Sequence, residues 1–214
     1  MRLGIKVSLL LILSFFTFLM VRLTIPYFSF NDQTAFLRIK QWIIHNEIWK
    51  VAFYIHVITS CICLMAGFTQ FSKTLLFKYP KIHKTAGWVY VGVILLLSGP
   101  SGIIMSIYAN GGLISQTSFL ILSVLWIYFT YQGFNQARKF NFLAHRNFII
   151  RSYALTLSAL TLRAWKVALV FFFRPHPMDV YMLVAWLGWI PNLIIAEYYI
   201  RYKFTKLNKL FNEH

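Results

Sequence analysis

His83 and His145 carry the most specific chemistry this chain offers. A neutral imidazole from each of two helices holds a b-type haem edge-on, because the iron accepts two axial nitrogens and the helices fix their separation. His83 lies in the basic run KTLLFKYPKIHK and His145 in ARKFNFLAHR, and each sits where an apolar run begins. Lys81, Lys84 and Arg146 are placed to meet the propionates of such a haem. The same placement equally fits two interfacial histidines that bond loop carbonyls or lipid headgroups. His56 belongs to another level, seventeen residues before Lys73 and about 25 Å of helix from that basic edge. Arg163 is expected at the same depth. With Thr59 or Ser60, and Lys166, these two can line a second polar pocket suited to an anionic headgroup, a quinone carbonyl or a haem propionate. The alternative is that Arg163 and Lys166 snorkel to the outer surface. His45, His176 and His214 fall in loops or the tail, where solvation is expected.

These side chains need helices to hold them. In HRNFIIRSYALTLSALTLR, residues 145 to 163, offsets of seven, eleven and eighteen return to nearly one helical face at about 100° per residue. His145, Ser152, Thr156 and Arg163 therefore form one polar stripe, roughly 27 Å long at about 1.5 Å per residue, close to the thickness of a bilayer's hydrocarbon core. A polar face turned to lipid costs roughly 2.5–3.5 kcal/mol for each charged group, so such a stripe is expected to face inward. His56, Ser60, Cys63, Gly67 and Gln70 form a second stripe, of small and polar residues, that suits close helix packing. Cys61 and Cys63 are two apart, point in different directions around a helix and read as packing residues that do not bridge. Glu197 is the only acid inside a span, and Arg201, four residues on, is its expected partner.

Composition sets the class. The chain has 214 residues, 59% hydrophobic and 12% charged, and soluble domains carry about twice that charged share. Its net charge of +16 sits in short clusters between apolar runs, a pattern of membrane topology and not of nucleic-acid binding. The pattern predicts an all-α, polytopic membrane helical bundle, one membrane domain over residues 1–214, with about six transmembrane helices near 5–25, 49–71, 84–108, 115–134, 147–172 and 180–200. The first run ends in bulky residues without an A-x-A-like cleavage site, so an uncleaved helix is expected over a signal peptide. Residues 26 to 48 are expected to form an interfacial helix with Trp42 at headgroup level, and SGPSG at 98 to 102 to kink or end the third span. Arg2 and Lys6, the basic runs at 73–84 and 138–146, and Arg201, Lys203, Lys206 and Lys209 all fall on one side. The other side holds only Arg22, Arg38, Lys40, Lys50 and Arg174, so the positive-inside rule places both termini in the cytoplasm and the chain in the cytoplasmic (inner) membrane. There is no Walker loop, H-E-x-x-H, nucleophile elbow or C-x-x-C pair.

HKTAGWVYV at 83–91, SGPSGIIMSIYANGG at 98–112 and HRNFIIRSYALTLSALTLR at 145–163 together resemble a family of predicted bacterial membrane proteins, domain of unknown function 2306. The resemblance covers roughly residues 50 to 200. It implies a multipass fold, marks His56, His83, His145, Arg151 and Arg163 as matched positions, and brings no activity with it. A looser likeness, on histidine placement alone, is to cytochrome b561-type bundles. Those carry two histidine pairs, whereas this chain offers one pair and a lone His56. The leading expectation is a membrane electron-transfer protein, a possible oxidoreductase component, binding haem b through His83 and His145 and acting with a quinone or a redox protein. The alternatives are a non-redox accessory or lipid-interacting membrane protein, and a small transporter using the polar stripes as a path.

Overall fold

The computed structural model describes residues 3–212, with the side chains at 3, 5–10, 73 and 204–212 outside the described set. Arg2 and His214, and the side chains of Lys6, Lys73, Lys206 and Lys209, which entered the topology and histidine readings, therefore lie outside the described residues. Every regular element among those described is helical. Among the described residues, six helical stretches are long and apolar enough to cross a membrane: Leu11–Ser29, Glu47–Thr69, Pro80–Ile107, Gly112–Arg138, Phe142–Phe173 and Pro177–Lys203. The chain divides into two compact units, Met1–Tyr108 and Ala109–His214, each carrying three of these spans.

In the first unit, α1 (Leu3–Thr24) is followed by two 3-10 turns, Ile25–Ser29 and Ala35–Lys40, then α2 (Glu47–Thr69), α3 (Lys73–Lys78), α4 (Pro80–Val93), a π-helical turn (Ile94–Ser98) and α5 (Gly99–Ile107). Asn46 starts α2 by accepting the Trp49 backbone N–H at 3.1 Å, and Ser72 does the same for Leu75 at the start of α3. The segment expected as an interfacial helix is not one. Phe30 and Ala35 take positive φ (51° and 41°), which breaks helical continuity, and Asn31 turns the chain by accepting the Gln33 N–H. The turns that result bury Leu37 and Ile44 against Tyr27, Trp49, Phe53 and Tyr54, while Trp42 stays exposed. SGPSG does not end its span, but the regular α-helix is broken there. Pro100 has no N–H to give, the helix widens for one turn so that Gly99 donates to Ile94, and α5 then carries on to Ile107.

The second unit contains α6 (Gly112–Arg138), α7 (Phe142–Thr156), α8 (Ser158–Phe173), α9 (Pro177–Leu187) and α10 (Ile190–Asn212). The turn before α6 needs glycine, since Gly111 lies at φ +83° and a Cβ there would meet Met182 and Ser115. Asn141 caps α7 by accepting the Ala144 N–H at 3.2 Å. The fifth span, expected as one straight helix, is interrupted at Leu157, and the sixth at Gly188–Trp189. α6 and α7 approach so closely at Gly133 that a Cβ there would sit 2.7 Å from the Ile149 Cδ1.

Candidate functional site

The polar groups of the first unit converge on the π-turn. His56 on α2 shares its Nδ1 proton with the carbonyl of Ser98 at 2.9 Å, a hydrogen bond that puts the ring's lone pair on Nε2. The Ser98 hydroxyl bonds Thr59 at 2.7 Å and the Cys63 thiol at 3.6 Å, and the Ser101 hydroxyl donates to the carbonyls of Leu97 and Ser98. Further along, Gln70 donates to the His83 carbonyl at 3.3 Å. The small and polar stripe of the second span thus serves close helix packing, as expected, and its partner is the third span, with Ser60 Oγ buried and lacking a hydrogen-bond partner among the described residues. Cys61 faces α1, where its sulfur lies 3.1 Å from the Thr24 hydroxyl, so the two cysteines point apart and both are free thiols. His83 is half-buried in the first turn of α4.

Outside the spans, Lys40 is the notable group. Only 2% of it is exposed, its Nζ donates to the Tyr108 carbonyl, and it lies 4.9 Å from the centroid of the Trp42 ring. Burial pulls its ammonium down from the usual lysine value to about 8.

In the second unit, His145 is half-buried in the first turn of α7 and its Nδ1 bonds the Gly133 carbonyl of α6 at 2.8 Å. With the proton on Nδ1, Nε2 carries the lone pair, the tautomer a metal-ligating histidine adopts when its other nitrogen is held by a carbonyl. Beside it, Arg146 Nε and Asn147 Oδ1 are buried with no hydrogen-bond partner among the described residues.

The rest of the His145 stripe is taken up by helix contacts. The Ser152 hydroxyl bonds Thr130 at 2.7 Å, and Thr156 accepts the Trp126 indole N–H at 3.0 Å. Arg163 leaves the stripe, because the interruption at Leu157 resets the helical phase. It is exposed, and its guanidinium donates to the Ala159 carbonyl of its own helix. Thr161 takes the inward position instead, donating to the Gly188 carbonyl and accepting from Asn192.

Glu197 is bound not only by its own helix. Arg151 of α7 grips it at two points, Nε to Oε1 and a terminal nitrogen to Oε2 at 3.0 Å, and Arg201 stays within electrostatic reach of the same carboxylate. The Arg151 guanidinium also lies 5.9 Å and 5.4 Å from the ring centroids of Phe129 and Phe148. The expected pair with Arg201 thus becomes part of an ion pair that joins α7 to α10. Asn192 was missed by the sequence reading, although an amide inside an apolar run was the signal for it. Trp126 and Thr130 gave no signal, since either type is ordinary in a span.

Among the described residues, no three His, Cys, Asp or Glu side chains gather as a metal-ion site, a test that leaves two-histidine haem ligation untouched. No curated protein and no solved structure matches the chain. Residues 53–200 match the family described as predicted membrane protein (DUF2306), and on that match over most of its length the chain belongs to this family of integral membrane proteins.

Proposed function

We propose that this integral membrane protein takes part in electron transfer and binds one b-type haem, with His145 supplying one axial ligand. The observation that carries the reading is the environment of His145. Its Nδ1–H is held by the Gly133 carbonyl, its Nε2 is the lone-pair nitrogen, and the adjacent Arg146 Nε is buried without a partner among the described residues. A propionate would satisfy that nitrogen. The second axial ligand is assigned to His83 from the sequence pattern alone. Bound there, the haem supplies one-electron chemistry, and a quinone or redox protein is the proposed exchange partner. The basic clusters support an orientation with both termini in the cytoplasm and the protein in the inner membrane.

The test is an oxidised and a dithionite-reduced absorption spectrum of detergent-purified protein from haem-replete cells, with iron counted per chain. Sharp bands of six-coordinate b haem near one iron per chain are expected. They should be lost in His145→Ala and in His83→Ala, since six-coordinate iron needs both imidazoles. A colourless, iron-free wild-type protein sinks the reading.

A non-redox accessory role is the second reading. It is favoured by the way Arg151, Ser152 and Thr156 are spent on contacts between helices, with Glu197, Thr130 and Trp126 respectively. On that reading His145→Ala leaves any bound pigment unchanged, and what it costs is the α6–α7 contact and assembly with partner proteins.

A further inference from the structure

A groove of about 430 Å³ lies between α2 and the third span of the first unit, within the roughly 300–1,000 Å³ of sites that take small ligands. Ile48, Val51 and Ile55 form one wall, Leu97 and Ile104 the other, and Glu47 stands at the end where α2 begins. From Glu47 to Ile55 the groove runs about 12 Å into the span.

What distinguishes the groove is the sign of its few polar groups. Pro100, in its lining, has no N–H to offer the groove. The Ser101 hydroxyl is committed to the carbonyls of Leu97 and Ser98, at 2.7 and 3.1 Å, and gives no proton to the groove. Glu47 is exposed and in no salt bridge among the described residues, and Lys50, bonded to Asp32 at 2.9 Å, lies within electrostatic reach of it. Glu47 is therefore the one charged residue of the lining, and it is an acceptor. An oxidised quinone, whose carbonyls need donors, is a poor match, and so is an anionic phospholipid, although the chain's net charge of +16 would attract one in bulk.

We propose that this groove is a lipid site selective for phosphatidylethanolamine, whose acyl chain lies along Val51, Ile55 and Ile104 while its primary ammonium donates to the Glu47 carboxylate. Charge complementarity selects the headgroup and the apolar walls hold the chain. The site is independent of the haem reading and uses none of its residues.

The test is lipid retention by the full chain, read by native mass spectrometry after extraction from vesicles of equal parts phosphatidylethanolamine, phosphatidylcholine and phosphatidylglycerol. The wild type should keep phosphatidylethanolamine over the other two by about tenfold, the scale of one charge-assisted hydrogen bond. Glu47→Gln should erase that preference while still retaining lipid. Val51→Trp, which fills the groove from an exposed position, should lower retention of all three lipids. Equal retention of the ethanolamine and choline lipids by the wild type, a preference for phosphatidylglycerol, or a preference that survives Glu47→Gln would each overturn the proposal.

Discussion

Where the first unit's spans meet the 30–46 segment, the packing is aromatic. Phe53 meets Trp49 in a stacked contact at 5.5 Å, Tyr27 edge-on at 5.3 Å and Phe36 at 5.9 Å, with Leu37 fully buried beneath them. In the second unit the helices are pinned by polar side chains: Arg151 to Glu197, Ser152 to Thr130, Thr156 to Trp126, and Asn192 to Thr161 and to the Ala154 carbonyl. The contrast follows from the solvent each region meets. Phe36 and Leu37 belong to the 30–46 segment outside the spans, and Tyr27, Trp49 and Phe53 stand near the ends of the spans it joins, where covering apolar rings from water still drives packing. Between helices in lipid that drive is nearly absent, since the tails are as apolar as the side chains, and hydrogen bonds and small residues such as Gly133 take its place.

The contrast can be broken by substitutions that should differ in size. Trp49→Ala removes the largest fully buried side chain among the described residues and should lower unfolding stability by about 3–5 kcal/mol, read by denaturant titration in detergent. Glu197→Gln strips Arg151 of its carboxylate. The side chains are 21% and 33% exposed, so a loss of about 2 kcal/mol is expected, below the roughly 3–5 of a fully buried pair, and the double variant with Arg151→Gln should recover part of it. Thr156→Val leaves the Trp126 indole N–H without its acceptor and should cost about 1 kcal/mol, with a shift in Trp126 fluorescence. If Thr156→Val proves as damaging as Trp49→Ala, the aromatic cluster and the polar helix contacts are not held by different forces.

The smallest effect is one of pH. Lys40 falls from an ordinary 10.5 to about 8 on burial, so between those values the folded chain binds fewer protons than the unfolded chain, and stability rises with pH across that window. Below about 8 both states are protonated and the burial penalty is constant. Lys40→Met should therefore gain most over the wild type at pH 7 and progressively less toward pH 10, read as melting temperatures of the two proteins. A difference that does not change with pH would place the Lys40 ammonium in water.

Much of the fold was legible because a bilayer imposes simple rules. Apolar runs longer than about 18 residues mark spans, so all six were readable, and the stripe from His56 to Gln70 located the face that packs on the third span. His145 was readable for the same reason, at the start of a span with Ser152 and Thr156 on its face. Arg163 was misplaced because periodicity assumes one unbroken helix, and the interruption at Leu157 sets Ser158–Phe173 in a new phase. Glu197 was assigned to Arg201 alone because sequence spacing sees only partners on the same helix, whereas Arg151 is 46 residues away.

The amino-acid sequence by itself determined the class, the number of spans and the inward faces of the second span and of α7, because hydrophobicity and helical period are local properties of the chain. Only the tertiary structure decided that residues 30–46 fold into a buried cap, that Pro100 is absorbed by a π-turn, and which carbonyls orient His56 and His145. Those outcomes depend on positive φ angles, on a proline's missing donor and on contacts between helices far apart in the chain, none of which a residue's type or spacing specifies.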